Sequence, residues 1–117
     1  SLAQATGKTA CVCDRDQIIA AAGGAKRELI GKDIHKELEQ TIDERENLVA
    51  SENDKKYVEV TDQETSFKSQ VVATIICEGD AIGAVILLDK DHNAQFGNEY
   101  LKIVSVAADK KKKKMEN

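Results

Sequence analysis

Two apolar segments that follow one another closely constrain the fold of this chain more than any other feature of its sequence. Residues 70–77 (QVVATIIC) and 81–88 (AIGAVILL) are nearly continuous apolar runs, and Glu78, Gly79 and Asp80 between them suit a tight turn. A strand with one face in water alternates apolar and polar residues, so these two strands must be covered on both faces. The sequence therefore predicts a central antiparallel hairpin with helices on each side of its sheet.

The rest of the chain supplies further strands and the helices that this sheet requires. Residues 8–14 and 17–22 are expected to form a second hairpin, and residues 57–61 alternate as an edge strand would. Helices are expected at 25–30, from an N-cap at Asp33 to Arg45, and from about Gly97, with Phe96, Tyr100, Ile103, Val104, Ala107 and Ala108 on one side. These elements predict one α+β domain over residues 1–117, with an antiparallel sheet between helical layers.

Both ends of the chain carry features that bear on connection and assembly. Residues 1–6 resemble the end of an upstream linker helix that Gly7 closes as a C-cap. Residues 110–117 form a tail that begins with five consecutive lysines. We expect these lysines to be the solvated end of the last helix, where positive charge suits the helix dipole.

Charge and composition exclude several classes of function. The chain has 17 Lys plus Arg against 21 Asp plus Glu, and residues 110–114 hold five of the positive charges, so the preceding body is strongly acidic. Such a body repels the phosphate backbone, which argues against direct contact with nucleic acid. No apolar stretch approaches the roughly 18 residues that a membrane span requires. We therefore expect a cytoplasmic protein without a membrane partner.

Cys11, Cys13 and Cys77 are the residues most capable of chemistry. Cys11 and Cys13 are two apart on one predicted strand, so their side chains point to the same face about 6 to 7 Å apart and cannot close a disulfide. No second Cys pair stands at metal-ligand spacing, and His35 and His92 are not expected to lie together. Buried, inert thiols are the expected state, so we predict no metal, no cofactor and no catalytic residue.

Three segments resemble the C-terminal domain of the stage V sporulation protein T family of transcription regulators. They are CVCDRDQIIAAAGG at 11–24, LIGKDI at 29–34 and SQVVATIICEGDAIGAVILLDKD at 69–91. The resemblance implies a GAF-like fold, close to PAS, that follows a DNA-binding domain of the AbrB type. It also implies that the terminal helices pack against a second subunit, through Leu2, Phe96, Tyr100, Ile103, Val104, Ala107 and Ala108. The lysines stand where the family continues with apolar residues, so a shorter bundle is expected.

The covered sheet and the resemblance together favour a non-catalytic ligand-sensing and dimerisation domain. A small-molecule effector would enter between the sheet and residues 25–45, with Cys13, Ile34, Leu38, Ser69 and Val71 as the expected lining. Its binding would bias the terminal helices of a homodimer or homotetramer. Two alternatives stay open. One is a GAF-fold thiol reductase acting on free methionine sulfoxide, marked by a Cys13–Cys77 disulfide. The other is a purely structural oligomerisation domain without a cavity.

Overall fold

A five-stranded antiparallel sheet organises the protein, in the order β2-β1-β5-β4-β3. The structure, a computed structural model, describes residues 1–91 and 96–115, with side chains through residue 112. The elements in chain order are α1 (Leu2–Thr6), β1 (Thr9–Cys13), β2 (Ile18–Ala22), a 3₁₀ turn (Lys26–Glu28), α2 (Lys36–Asp43), β3 (Asn47–Ser51), β4 (Ser69–Cys77), β5 (Asp80–Asp89) and α3 (Asn98–Met115). The most apolar strands, β4 and β5, are interior strands of the sheet, as their sequences predict.

Alternation along the strands divides the core into two clusters, one on each face of the sheet. The side covered by α2, here called the α2 face, buries Cys11, Cys13, Ile18, Leu48, Val72, Ala84, Ile86 and Leu88 beneath Leu29, Ile34, Leu38 and Ile42. The opposite side, the α3 face, buries Ala10, Val12, Val71, Ala73, Ile75, Val85 and Leu87 beneath Ala3, Val104 and Ala108. The prediction of a sheet with helices on both faces is confirmed.

The edge strand next to β4 is residues 47–51, so its prediction at residues 57–61 is wrong. Residues 57–60 belong to no strand, and the buried Gln70 side chain joins them to β4. The Gln70 side-chain amide donates to the Val58 carbonyl (2.8 Å), and its oxygen accepts from the Val58 N–H (2.9 Å). The Gln70 side chain thus makes the two hydrogen bonds to Val58 that a neighbouring strand would otherwise make. In contrast, β3 pairs with β4 over five positions.

Helix α2 begins later than the sequence predicts. Its N-cap is His35, whose Nδ1 accepts from the Glu37 N–H (3.0 Å), and not Asp33. Asp33 and Ile34 are extended because they form isolated bridges with Gln17 and Thr61. The preceding helix, expected over residues 25–30, contracts to the single 3₁₀ turn.

The terminal helices lie together on the α3 face. Gly7 ends α1 in the left-handed region (φ 70°), as predicted. Helix α3 starts near Gly97 as expected and continues through the lysines to Met115. Ala3 shares one buried cluster with Val104 and Ala108. None of the helices in the described residues is both long and apolar enough to cross a membrane.

Candidate functional site

The five residues expected to line a ligand pocket do not come together. Cys13, Ile34 and Leu38 are packed in the core of the α2 face. Val71 is buried on the opposite face beneath α3. Ser69 shares that strand face because it is two residues away, and its hydroxyl donates to the Asp91 carbonyl (2.6 Å). The thickness of the sheet therefore separates Ser69 and Val71 from the other three.

The cysteines are placed poorly for thiol chemistry. Cys11 is 2% exposed and Cys13 is 0% exposed. Burial raises the pKa of Cys11, and it raises the pKa of Cys13 to about 12, so both thiols stay protonated at neutral pH. Cys77, the third thiol, is half-buried.

Strand register also separates Cys13 from Cys77. Cys13 lies opposite Ala84 of β5, and Ala84 lies opposite Thr74 of β4, three residues before Cys77. Two strand spacings and three residues put the two Cα atoms roughly 14 Å apart. A disulfide requires Cα atoms within about 7 Å, so this pair cannot close without rearrangement of the sheet.

The described residues also offer no metal centre. Over residues 1–91 and 96–115, no three His, Cys, Asp or Glu side chains gather as possible ligands. His35 caps helix α2 through its ring nitrogen. His92 lies outside the described residues.

A cavity of about 340 Å³ opens at one end of the sheet, next to the junction of α1 and β1. We call it the strand-end cavity. Its buried lining comprises Thr9, Ala25, Phe67 and Leu88, and its exposed or half-exposed rim comprises Gly7, Lys8, Gly24, Asp89 and Lys90. Thr9 and Leu88 face each other across β1 and β5. Because Ala25, Phe67 and Leu88 belong to the core of the α2 face, the cavity opens on that side of the sheet.

An ion pair beside this cavity joins the beginning of β1 to the end of β5. Lys8 Nζ lies 2.5 Å from Asp89 Oδ2 and 5.6 Å from the centroid of the Phe96 ring. The Phe96 ring meets Tyr100 of α3 edge to face, with centroids 5.2 Å apart. We call Lys8, Asp89 and Phe96 the Lys8 clasp. It links the segment that follows α1 to the segment that precedes α3.

The electrostatics of the clasp match an ion pair. The hydrogen bond to Asp89 raises the pKa of Lys8. Burial pushes the pKa of Asp89 upward, but hydrogen bonds from Lys8 and from the backbone N–H of Asp91 outweigh it and leave that pKa below its usual value. Both charged forms are therefore favoured in the folded protein.

The residues expected at a dimer interface divide into three groups by exposure. Val104 and Ala108 are buried against the protein's own sheet, whereas Ile103 is 43% exposed. Leu2, Phe96, Tyr100 and Ala107 are half-buried around the same cluster. The sequence analysis missed Val106, which at 53% is the most exposed of the large apolar residues on the described part of the chain. Its spacing of three from Ile103 was the available signal, because residues three apart share a helix face.

A shallow groove runs between α1 and the end of α3. Its volume is about 180 Å³, and small side chains dominate its lining, with Ala3, Ala10, Ala20, Ala22 and Ala107 among them. Lys111 of the tail lies at the same groove and so borders an apolar surface. Small residues at this position leave room for another chain to approach.

Solved structures of similar shape identify the fold. The protein superposes with a TM-score of 0.73 on a type II free methionine-R-sulfoxide reductase from Thermoplasma acidophilum, at 16% identity over 95% of this chain and 82% of that one. A GAF domain from an Acinetobacter phosphoenolpyruvate-protein phosphotransferase gives 0.74 at 10% identity over 95% and 73%. The GAF-B domain of DevS from Mycobacterium smegmatis gives 0.69 at 15% identity over 93% and 80%. The fold is GAF-like, as expected.

Sequence comparison identifies the family. The chain is 34% identical over 109 residues to stage V sporulation protein T of Bacillus subtilis (strain 168), and the match covers 92% of this chain and 59% of that protein. The chain thus spans less than two thirds of this relative. A family model described as "Stage V sporulation protein T C-terminal, transcription factor" matches residues 1–116. Because that match covers nearly the whole chain, the protein belongs to the family of stage V sporulation protein T C-terminal domains.

Proposed function

We propose that this domain is a non-catalytic ligand-sensing and dimerisation module of a bacterial sporulation transcription regulator. The observation that carries the proposal is that both terminal helices lie on one sheet face. The Lys8 clasp connects the C-terminal end of α1 to the N-terminal end of α3. Movement at the strand-end cavity would reach both helices through this clasp. The strongly acidic body leaves contact with DNA to another part of the regulator.

Dimerisation is proposed to use the outer face of α3. Ile103 and Val106 are exposed apolar residues on that face, and the alanine-lined groove beside α1 lies next to it. A second copy that covered these side chains would remove apolar surface from water, which favours association. Lys111 would lie at the border of this interface.

The oligomeric state tests this part of the proposal. Light scattering after gel filtration should give at least a dimer for the unchanged protein and a monomer for Val106→Asp, because an unpaired buried charge opposes association. Ile30→Asp is the matched control, since Ile30 is 47% exposed and lies away from the terminal helices. An unchanged mass for Val106→Asp would refute the proposed interface. Val104→Asp would be uninformative, because Val104 is fully buried in the core of its own protomer.

Sensing is tested by thermal stability in the presence of a metabolite library. A ligand that binds only the folded protein at 100 times its Kd stabilises it by about 2.7 kcal/mol and raises the midpoint. At least one such shift is expected. No shift across the library would favour the alternative of a purely structural oligomerisation domain.

A thiol reductase acting on free methionine sulfoxide is the second candidate, since one structure of similar fold is such an enzyme. The arrangement of the cysteines argues against it here. Cys13 is fully buried with a raised pKa, and sheet register holds it far from Cys77. Incubation with free methionine-R-sulfoxide and a thiol reductant should give no turnover. Turnover that Cys77→Ala abolishes would replace the sensing proposal with the enzymatic one.

A further inference from the structure

We propose that the strand-end cavity binds a small organic monocarboxylate, with an apolar tail against Phe67 and Leu88 and its carboxylate between Thr9 and Lys90. The inference rests on the proposed sensing function for its biological role and supplies the chemical class of the effector. The binding itself depends only on the geometry of the cavity.

The Thr9 side chain is the first reason to expect a ligand. Thr9 is 7% exposed and lines the cavity, yet its hydroxyl has no hydrogen-bond partner within the described part of the chain. No fully enclosed side-chain nitrogen or oxygen in that part is without a partner. The hydroxyl must therefore reach the open space of the cavity. A buried polar group of this kind normally finds a partner, and a ligand oxygen can provide one.

Lys90 supplies the positive charge for a carboxylate. It follows Leu88 by two residues, so it is on the same side of the sheet and diagonal to Thr9, within reach of a long side chain. Among the described residues, no carboxylate lies within ion-pair distance of its ammonium group. The nearby Glu28 carboxylate accepts hydrogen bonds from the Ser66 N–H (2.8 Å) and hydroxyl (2.8 Å), and the charge of Lys90 helps these bonds to hold the pKa of Glu28 below its usual value. Because Lys90 is exposed and forms no direct ion pair with Glu28, a ligand carboxylate can still reach its ammonium group.

The walls of the cavity select an apolar tail. Phe67, Leu88 and Ala25 are buried apolar residues of the α2 face, and they meet at the floor of the cavity. A volume of about 340 Å³ falls at the lower end of the range for small-molecule sites, roughly 300 to 1,000 Å³. The apolar floor of the site therefore suits the hydrocarbon tail of a short aliphatic acid.

The Gly23-Gly24 pair keeps the rim open. A Cβ on Gly23 would lie 2.8 Å from the Thr9 Cα, and the φ of this glycine is 113°, so only glycine fits there. Gly24, in contrast, has open space where its Cβ would be. A larger residue at position 24 can therefore be used to obstruct the cavity without strain.

A ligand in the strand-end cavity would affect the terminal helices through the residues beside the cavity. Asp89 precedes Lys90 in the chain and is held by Lys8, which also contacts Phe96. An anion drawn to Lys90 would act on the last residues of β5 and so on the Lys8 clasp. The terminal helices would then respond to the same event.

The test is a titration of ¹⁵N-labelled protein, followed by NMR, with sodium acetate, butyrate, hexanoate and octanoate. The largest shifts are expected at the amides of Thr9, Gly24, Ala25 and Lys90. Affinity should rise about fourfold per buried methylene until the cavity is full. Hexan-1-ol, which has the same chain length as hexanoate without the charge, should bind about tenfold more weakly.

Variants separate the proposed contacts from non-specific binding. Thr9→Val, which keeps the shape and removes the hydroxyl, and Lys90→Ala should each weaken hexanoate binding by about tenfold. Gly24→Ile should abolish it, while Lys55→Ala, an exposed lysine elsewhere, should leave it unchanged. Equal affinity for hexan-1-ol, full binding by Lys90→Ala or Gly24→Ile, or no shifts at these amides would each overturn the inference.

Failure of this site is distinguishable from failure of the proposed function. Stabilisation by other members of the metabolite library, without carboxylate binding here, would leave sensing intact and refute only the carboxylate site. Carboxylate binding with an unchanged mass for Val106→Asp would support the site and refute the dimer interface.

Discussion

The Gln70 side chain holds a long connection onto the sheet, and removing it should loosen that connection selectively. Residues 52–68 run between β3 and β4, and the paired hydrogen bonds to Val58 are made by a side chain that is 0% exposed. Gln70→Leu keeps a similar volume and removes both bonds. The connection should then open more often while the sheet persists.

The expected loss of stability follows from the two bonds. Each net hydrogen bond contributes about 1 kcal/mol, and an orphaned buried partner costs a further 1 to 3 kcal/mol. Val58 is half-buried, so water can restore part of that cost. We therefore expect Gln70→Leu to lower the free energy of unfolding by about 2 to 3 kcal/mol, a substantial share of the 5 to 15 kcal/mol typical of a domain.

Urea denaturation and amide hydrogen exchange measure this effect. Exchange should accelerate most at Val58 and its neighbours, because opening of the connection is a local event. Thr74→Val is the matched control: Thr74 lies on the same face of β4 and donates a single bond to the Glu46 carbonyl (2.7 Å), so about 1 kcal/mol should be lost. A loss for Gln70→Leu no greater than for the control, or uniform acceleration over the sheet, would refute the reasoning.

Three further predictions concern close approach, pH and thiol reactivity. Gly83→Ala should destabilise by about 3 kcal/mol or more in urea, because its Cβ would lie 2.0 Å from the Cys13 carbonyl oxygen, whereas Gly24→Ala should be nearly neutral. The pKa of Asp89 is lowered in the folded protein, so its carboxylate stabilises the fold fully above its unfolded pKa, and this stabilisation is lost as the pH falls through the lower folded value. The urea midpoint of Asp89→Asn should therefore fall less than that of the unchanged protein between about pH 5 and pH 3. Iodoacetamide at pH 8 should label Cys77 before Cys13 in the folded protein, with mass spectrometry as the readout, and equal labelling would contradict the burial argument.

The candidate sites were only partly accessible to sequence reasoning. The last helix and its apolar side were predicted, because apolar residues at helical spacing mark them, and Ile103 is exposed on this helix. Val106 was missed, and Val104 was assigned to an interface although it packs on its own sheet. A helix with apolar residues on more than one side does not reveal which side faces the sheet. The strand-end cavity escaped notice because its lining comes from four separate segments of the chain.

The sequence by itself determined the sheet covered on both faces, the two hairpins and the last helix, because periodicity and turn residues are local signals within one segment. Tertiary structure alone decided that residues 47–51, and not 57–61, form the edge strand next to β4. It also decided which face Ser69 and Val71 occupy, since an uninterrupted apolar strand has no alternation to mark its two sides. The edge strand and the strand faces depend on strand register and on hydrogen bonds between distant residues, such as those between Gln70 and Val58. These interactions form only when segments far apart in the sequence pack together, so local sequence patterns do not reveal them.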